Sequence, residues 1–241
     1  MSGHSKWNNI KRKKEKTDAA KAKVFTKIGR EIAVIVKQGG PNPAENSKLK
    51  DVIAKAKAAN VPNDNIERII SKAAGEGDAN NYEELIYEGY GPNGVAVVVE
   101  TLTDNRNRTA GDIRHYFDKC GGNLGQSGSV MFMFDRKGII EIDGEGMDED
   151  SVMEDALDAG AEDFNFDGEI FTVTTAPNDL GAVRDTLEGK GYVFLTAEVQ
   201  YVPQTTTTVE GEAAEKMEKL LDMLEENDDV QNVWHNLSDE G

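Results

Sequence analysis

Residues 138–202, GIIEIDGEGMDEDSVMEDALDAGAEDFNFDGEIFTVTTAPNDLGAVRDTLEGKGYVFLTAEVQYV, decide the fold. The apolar spacing alternates between the two-residue period of a strand and the 3.6-residue period of a helix. It predicts a strand over 138–142, a helix over 148–159, strands near 163–166 and 169–175, a helix over 178–189 and a strand over 192–202. The order βαββαβ is the ferredoxin-like arrangement. Beyond it, Pro203-Gln204-Thr205-Thr206-Thr207-Thr208 reads as an exposed connector. A helix follows with Met217, Leu220, Leu221 and Leu224 on one face, then a short strand over 230–236. A lone helix–strand pair has nothing to bury its apolar face against, so it is expected to return to a sheet begun earlier.

That earlier sheet lies upstream. YEELIYEGY (82–90) and VAVVVETL (95–102) read as strands joined by the turn signal GPNG. Thr109 and Asp112, at capping-box spacing, open a helix that places Ile113, Tyr116, Phe117 and Cys120 on one face. Gly121-Gly122 closes it, and Ser129–Phe134 reads as strand-like. Further upstream, three short amphipathic helices form a small bundle. The first starts at Asp18 with Val24, Ile28, Ile32 and Ile35, and stops at Gly39-Gly40-Pro41. The second starts around Asn42-Pro43 with Leu49, Val52, Ile53 and Ala56. The third has Asp64 and Glu67 at capping-box spacing, carries Ile66, Ile69, Ile70 and Ala73, and ends at Gly75-Glu76-Gly77. Residues 1–16 show no apolar period and are expected to be mobile or to order only on binding. The reading is an α+β chain with domains at 1–77, at 78–134 with 205–241, and at 135–204, the last inserted in the second.

Charge divides the chain at the same place. Residues 1–77 hold 17 Lys/Arg and 8 Asp/Glu, net +9, whereas 78–241 hold 10 and 37, net −27. The first thirty residues alone are +8. A basic head on an acidic body points to a polyanionic partner met locally by the head, since the body repels phosphate. With 241 residues and 38% hydrophobic content, several modest cores fit better than one large one. The single cysteine, Cys120, excludes an intramolecular disulfide and a cysteine-based zinc finger. No run of about 18 apolar residues is present to span a membrane, and the N-terminus lacks the apolar segment of a secretory signal. A cytoplasmic location is expected.

The candidate nucleic-acid contacts follow from these charges. Lys6, Lys11, Arg12, Lys13, Lys14, Lys16, Lys21 and Lys23 offer cations to a phosphate backbone. Trp7 either stacks on an unpaired base or packs onto the bundle. Arg106 and Arg108 sit in the polar segment TDNRNRT (103–109) before the helix that Thr109 is expected to cap. They either make a phosphate site at that helix N-terminus or pair with neighbouring carboxylates. Gly89, Gly91 and Gly94 have G-x-G-x-x-G spacing, but they precede a strand rather than a helix, so they form a turn and not a dinucleotide site. The glycines at 121, 122, 125 and 128 fit strand–turn geometry better than an RNA-clamping loop. The acids between Asp143 and Asp155 lack the order of a calcium loop. His4, His115 and His235 are scattered and Cys120 shares an apolar helix face, so no catalytic group, metal site or cofactor is indicated. No small-molecule substrate is indicated either.

Several long stretches carry a resemblance. GHSKWNNIKRKK with KAKVFTKIGREI, TDNRNRTAGDIR, GGNLGQSGSVMFMF and DDVQNVWHN, in that order along the chain, resemble the signatures of the YebC family. The resemblance implies a helical N-terminal domain and two α/β domains of ferredoxin-like type, one interrupted by the other. It implies a non-enzymatic role in gene expression. The family is commonly labelled as DNA-binding transcriptional regulators, its mitochondrial relative as a translational activator, and bacterial members are linked to the ribosome. The residues themselves lean toward RNA: only Asn60, Asn63, Asn65 and Arg68 are available as base readers in the bundle, and RNA recognised by shape and backbone asks less of side chains. A DNA-binding transcriptional regulator is the alternative. A second is a protein-interaction scaffold whose acidic body binds a basic partner.

Overall fold

The computed structural model describes residues 18–75 and 82–238. Among them are α1 (Asp18–Gly39), α2 (Ser47–Ala58), α3 (Asn63–Ala74), β1 (Glu83–Tyr90), β2 (Ala96–Thr103), α4 (Arg106–Lys119), β3 (Asn123–Leu124), β4 (Phe134–Asp143), α5 (Glu149–Asp158), β5 (Asp163–Phe166), β6 (Ile170–Thr175), α6 (Leu180–Gly189), β7 (Phe194–Pro203), α7 (Gly211–Glu226) and β8 (Val230–His235). The protein is α+β, with two four-stranded sheets ordered β3-β1-β2-β8 and β5-β6-β4-β7. Two compact units result. One contains 18–30, 82–135 and 202–238; the other contains 31–75 and 136–201.

In the second unit the βαββαβ segment closes into the sheet β5-β6-β4-β7, the strand order of the ferredoxin-like plan. β4 and β6 run antiparallel with Ile140 opposite Val173 and Ile142 opposite Phe171. Those side chains, with Val152 and Ala156 of α5 and Leu180, Val183 and Leu187 of α6, form one apolar core. Phe166 stacks on Phe171 with ring centroids 4.2 Å apart. α5 begins where the Asp148 carboxylate accepts from the Ser151 N–H, and Glu149 and Asp150 in its first turn suit the positive end of the helix dipole. That accounts structurally for the acidic run.

Also in this unit, α2 begins at Ser47, later than Asn42-Pro43. Asn46 is the reason. Its Oδ1 accepts from Leu49 N–H (3.1 Å) while its Nδ2 donates to Ile35 O and Gly40 O, tying the end of α1 to the start of α2. α3 begins behind Pro62 with no side-chain cap, so Asp64 lies inside the first turn and the box expected with Glu67 does not form. Lys55 on α2 is held between Glu31 (3.3 Å) and Glu198 (3.0 Å). The buried Arg184 on α6 reaches Asp51 at 2.8 Å and Asp185 at 3.0 Å. Two of α2's acid–base partners therefore come from the sandwich beneath it.

In the first unit the elements run β1-β2-α4-β3 and resume at α7-β8. β1 and β2 form a hairpin in which Glu83 faces Thr103 and Tyr90 faces Ala96. β8 adds to β2 with Val98 opposite Trp234. Val95, Val97 and Val99 meet Ile113, Phe117 and Cys120 of α4 and Met217, Leu220, Leu221 and Leu224 of α7. The helix approaches so closely that a methyl group at Gly89 would sit 2.7 Å from the Phe117 ring, and one at Gly122 would sit 2.4 Å from Tyr90 O. The glycine-rich motif thus serves packing. The strand-like run Ser129–Phe134 is instead a short 3-10 turn, Met131–Met133, leading into β4.

Candidate nucleic-acid interface

Lys6, Trp7, Lys11, Arg12, Lys13, Lys14 and Lys16 lie outside the described residues, as does His4. Lys21 is exposed on α1. Lys23 is engaged with the protein itself. Lys23, Lys27 and Arg30 recur at helical spacing, and all three donate to main-chain carbonyls at or just beyond the C-terminal end of α7. Lys23 reaches Glu226 O, Lys27 reaches Glu225 O (2.8 Å) and Arg30 reaches Asp228 O (2.9 Å). The last carbonyls of a helix have no intrahelical donors and sit at the negative end of its dipole, so a row of cations is a natural cap.

The segment 103–109 differs from its sequence reading. Asn105, not Thr109, is the N-cap of α4: its Oδ1 accepts from Arg108 N–H at 3.1 Å. Arg106 and Arg108 therefore lie in the first helical turn rather than in a loop. Thr109 is buried and donates to Asp229 Oδ2 at 2.8 Å, with the Thr103 hydroxyl at the same distance. Arg108 is drawn to carboxylates, 2.7 Å from Asp229 and 2.9 Å from Asp104. Arg30 reaches the other oxygen of Asp229 at 3.3 Å. Burial alone would raise the Asp229 carboxyl, but the hydrogen bonds from Arg108 and Thr109 and the nearby cations outweigh it and hold it below the usual range.

The cleft around Asp229 is lined by Arg30, Asp104, Arg108 and Asp112, and by Glu226 to Asp229. Five carboxylates face two guanidiniums there, so the cleft repels phosphate. The structure separates the two arginines that the sequence grouped. Both are exposed, but Arg108 is paired with Asp229 and Asp104, whereas Arg106 has no ion-pair partner among the described residues. Farther along α4, Arg114 and Lys119 are also exposed, and among the described residues none of these three is ion-paired. The three do not recur at helical spacing, so the sequence carried no periodic signal that would have grouped them.

A second carboxylate organises the glycine-rich segment. Glu88, buried in β1, accepts from the N–H groups of Gly128 (2.6 Å), Val130 (2.9 Å) and Met131 (2.8 Å). Its pKa is lowered: burial opposes this, but the three N–H donors together prevail. These N–H groups are thereby withdrawn from any strand ladder, which is why Ser129–Phe134 does not become a strand. Gly125 N–H donates to Glu88 O, and the Tyr90 hydroxyl donates to Ser129 O. At the far edge of the sheet Glu100 accepts from Asn232 and Trp234. The fully buried Asn236 accepts from Ala96 N–H at 2.8 Å and donates to Thr207. Cys120 is buried in the core, where desolvation pushes its thiol up. Among the described residues no group of His, Cys, Asp and Glu is placed to hold a metal ion.

Residues 5–76 match the model of the TACO1/YebC protein N-terminal domain, and residues 82–237 match that of the TACO1/YebC second and third domain. The chain belongs to the TACO1/YebC family. A probable transcriptional regulatory protein of Acetivibrio thermocellus is 64% identical over 238 residues, 98% of each chain. One of Finegoldia magna is 58% identical over the full length of both. A conserved hypothetical protein of Aquifex aeolicus, solved as a crystal structure, superposes with a TM-score of 0.83 at 46% identity, covering 92% of this chain and 91% of that one. The matched ranges include the residues just described. TDNRNRTAGDIR supplies Arg108 and Thr109, and DDVQNVWHN supplies Asp229, Trp234 and Asn236.

Proposed function

We propose that the protein is a non-enzymatic regulator of gene expression that binds nucleic acid through its basic N-terminal segment. The observation that carries this is the charge asymmetry: +8 over the first thirty residues on a chain of net −18. The relatives' description as probable transcriptional regulatory proteins supports a role in gene expression. The exposed cations Lys21, Arg106, Arg114 and Lys119 offer further phosphate contacts, whereas Lys23 and Arg108 are committed to Glu226 O and Asp229 and are set aside. On this reading residues 1–77 form the binding domain, and 78–134 with 205–241 and 135–204 form the body that the head anchors.

Of the two nucleic acids, RNA fits the side chains better, because the polar helix faces carry cations and few base-reading amides. An RNA-associated translation factor, acting on the ribosome in the cytoplasm, is therefore the preferred form. The relatives' names favour DNA-binding transcriptional regulation as the second reading. Sedimentation of a cell lysate with and without RNase separates them. Co-migration with ribosomal particles that RNase abolishes is the expected result. A position at the top of both gradients favours DNA. In vitro, deleting residues 1–16 should remove most binding to any oligonucleotide while leaving the thermal midpoint unchanged; undiminished binding refutes the head as the anchor.

A further inference from the structure

The segment from Cys120 to Phe134, CGGNLGQSGSVMFMF, contains no charged residue in a chain that is 30% charged. Such a window adds no charge of its own to an acidic body, and the Glu88 carboxylate beneath it is covered by three N–H donors. Within it the Glu88 carboxylate fixes the backbone at Gly128, Val130 and Met131. Ser129 N–H closes a turn on Gln126 O, and Met133 N–H closes one on Val130 O. Val130 is fully buried and Phe134 nearly so. Between these two anchors Phe132 projects from the 3-10 turn with 70% of its surface exposed, although burying it would be favourable. Gln126 and Ser127 stand exposed in the adjoining turn as neutral hydrogen-bonding groups.

We propose that Phe132 is a stacking platform for an unpaired base of a nucleic acid, held ready by the Glu88-anchored loop. The proposal rests on the reading that the protein binds nucleic acid, and it adds a contact by chemistry other than charge. Two features favour a base over an apolar protein surface. The aromatic stands on a fixed backbone, so little conformational freedom is lost on stacking. Its loop carries no acid, which admits the phosphates on either side of a base. Every base offers a π-face, so the contact is sequence-tolerant and confined to single-stranded segments.

The test uses the full chain and fluorescein-labelled probes: the single strands rU12 and dT12 and a 12-base-pair duplex, titrated by anisotropy over a salt series. Phe132→Ala should weaken single-strand binding by about 5- to 100-fold. It should leave duplex binding within about twofold and the salt slope unchanged, since no phosphate contact is lost. Phe132→Trp should retain affinity, and Phe132→Leu should behave as the alanine variant. Equal weakening on strand and duplex, no weakening, or rescue by leucine would overturn the proposal, the last pointing to an apolar protein contact. A wild-type chain that binds none of the probes in a salt-dependent way overturns the nucleic-acid reading itself. Salt-dependent binding that Phe132→Ala leaves intact overturns only the stacking site. The rU12 and dT12 arms report whether ribose is preferred.

Discussion

The two four-stranded sheets reach register by different means. In β5-β6-β4-β7 the chain runs through one continuous segment, and the short β5–β6 connection sets Phe166 opposite Phe171. The core contacts that follow are apolar: Ile140, Ile142, Phe171 and Val173 against α5 and α6. In β3-β1-β2-β8 the last helix and strand return after the inserted segment, so no short turn places β8 on β2. There the alignment is secured by polar contacts between residues far apart in sequence: Asp229 with Thr109 and Arg108, Asn236 with Ala96 N–H, and Glu100 with Asn232 and Trp234. An offset strand would leave several of these groups buried without partners, at a cost of about 1–3 kcal/mol each. Apolar packing tolerates a slipped neighbour better than a buried hydrogen bond does. A discontinuous sheet therefore needs polar fasteners where a continuous one needs only turns.

The sharpest way to break that contrast is Asp229→Ala. It removes the carboxylate that Thr103, Thr109, Arg30 and Arg108 share, leaving Thr109 to the Thr103 hydroxyl and Asn105 O and Arg108 to Asp104. The expected loss is about 2–3 kcal/mol in urea unfolding, since the hydrogen bonds go but the cations left behind reach solvent. Amide exchange should accelerate first in β2, β8 and α4 while β4 and β6 keep their protection. A loss below about 1 kcal/mol would mean that β8 is held by apolar contacts after all. Phe171→Ala is the mirror experiment, with a loss of about 3–5 kcal/mol that appears first in β4 and β6.

Glu88→Gln comes next, at about 2–3 kcal/mol at pH 7. The amide keeps one acceptor oxygen but turns an NH2 toward a backbone N–H that needs an acceptor. The dependence on pH sharpens the test. Because the folded Glu88 pKa is depressed, its contribution is fully present above the unfolded value near 4.3. It is lost as pH falls through the folded value. Urea midpoints of wild type and variant should thus differ at pH 7 and converge as pH drops below about 4. A constant gap would show that the carboxylate's charge is not what holds the loop.

These fasteners were the part of the fold that the sequence concealed. The helices and the β1–β2 hairpin were legible because their signals are local: apolar periods, a GPNG turn and glycines after the helices. Asp229 lies 120 residues from Thr109, and nothing near either residue announces the other. Asn105 and Thr109 are both good capping residues, and the choice fell to Asn105 because Thr109 is drawn into the core by Asp229. VMFMF has the composition of a strand, but the Glu88 carboxylate takes the N–H groups of Val130 and Met131, and Val130 O takes that of Met133. Of the candidate interface, the net charge of the head was legible, but the fate of single cations was not. Arg106 and Arg108 are equivalent in sequence, yet among the described residues only Arg108 finds carboxylates, Asp229 and Asp104.

Lys23 and Lys27 carry that lesson to its smallest effect. Both were part of the basic head by count, yet each donates to a carbonyl at the end of α7. Such helix-end contacts contribute about 0.3–1 kcal/mol each at an exposed position and weaken with salt. Lys23→Met and Lys27→Met should therefore lower the urea midpoint slightly at low salt and hardly at all at high salt. Lys21, exposed on the same helix, serves as the control: Lys21→Met should leave stability unchanged and weaken oligonucleotide binding, with the salt slope reduced by about one contact. If Lys23→Met weakens binding as Lys21→Met does and leaves stability alone, the cation leaves the carbonyl for phosphate when nucleic acid arrives. If stability alone moves, the division holds between cations that fasten the fold and cations that face a partner.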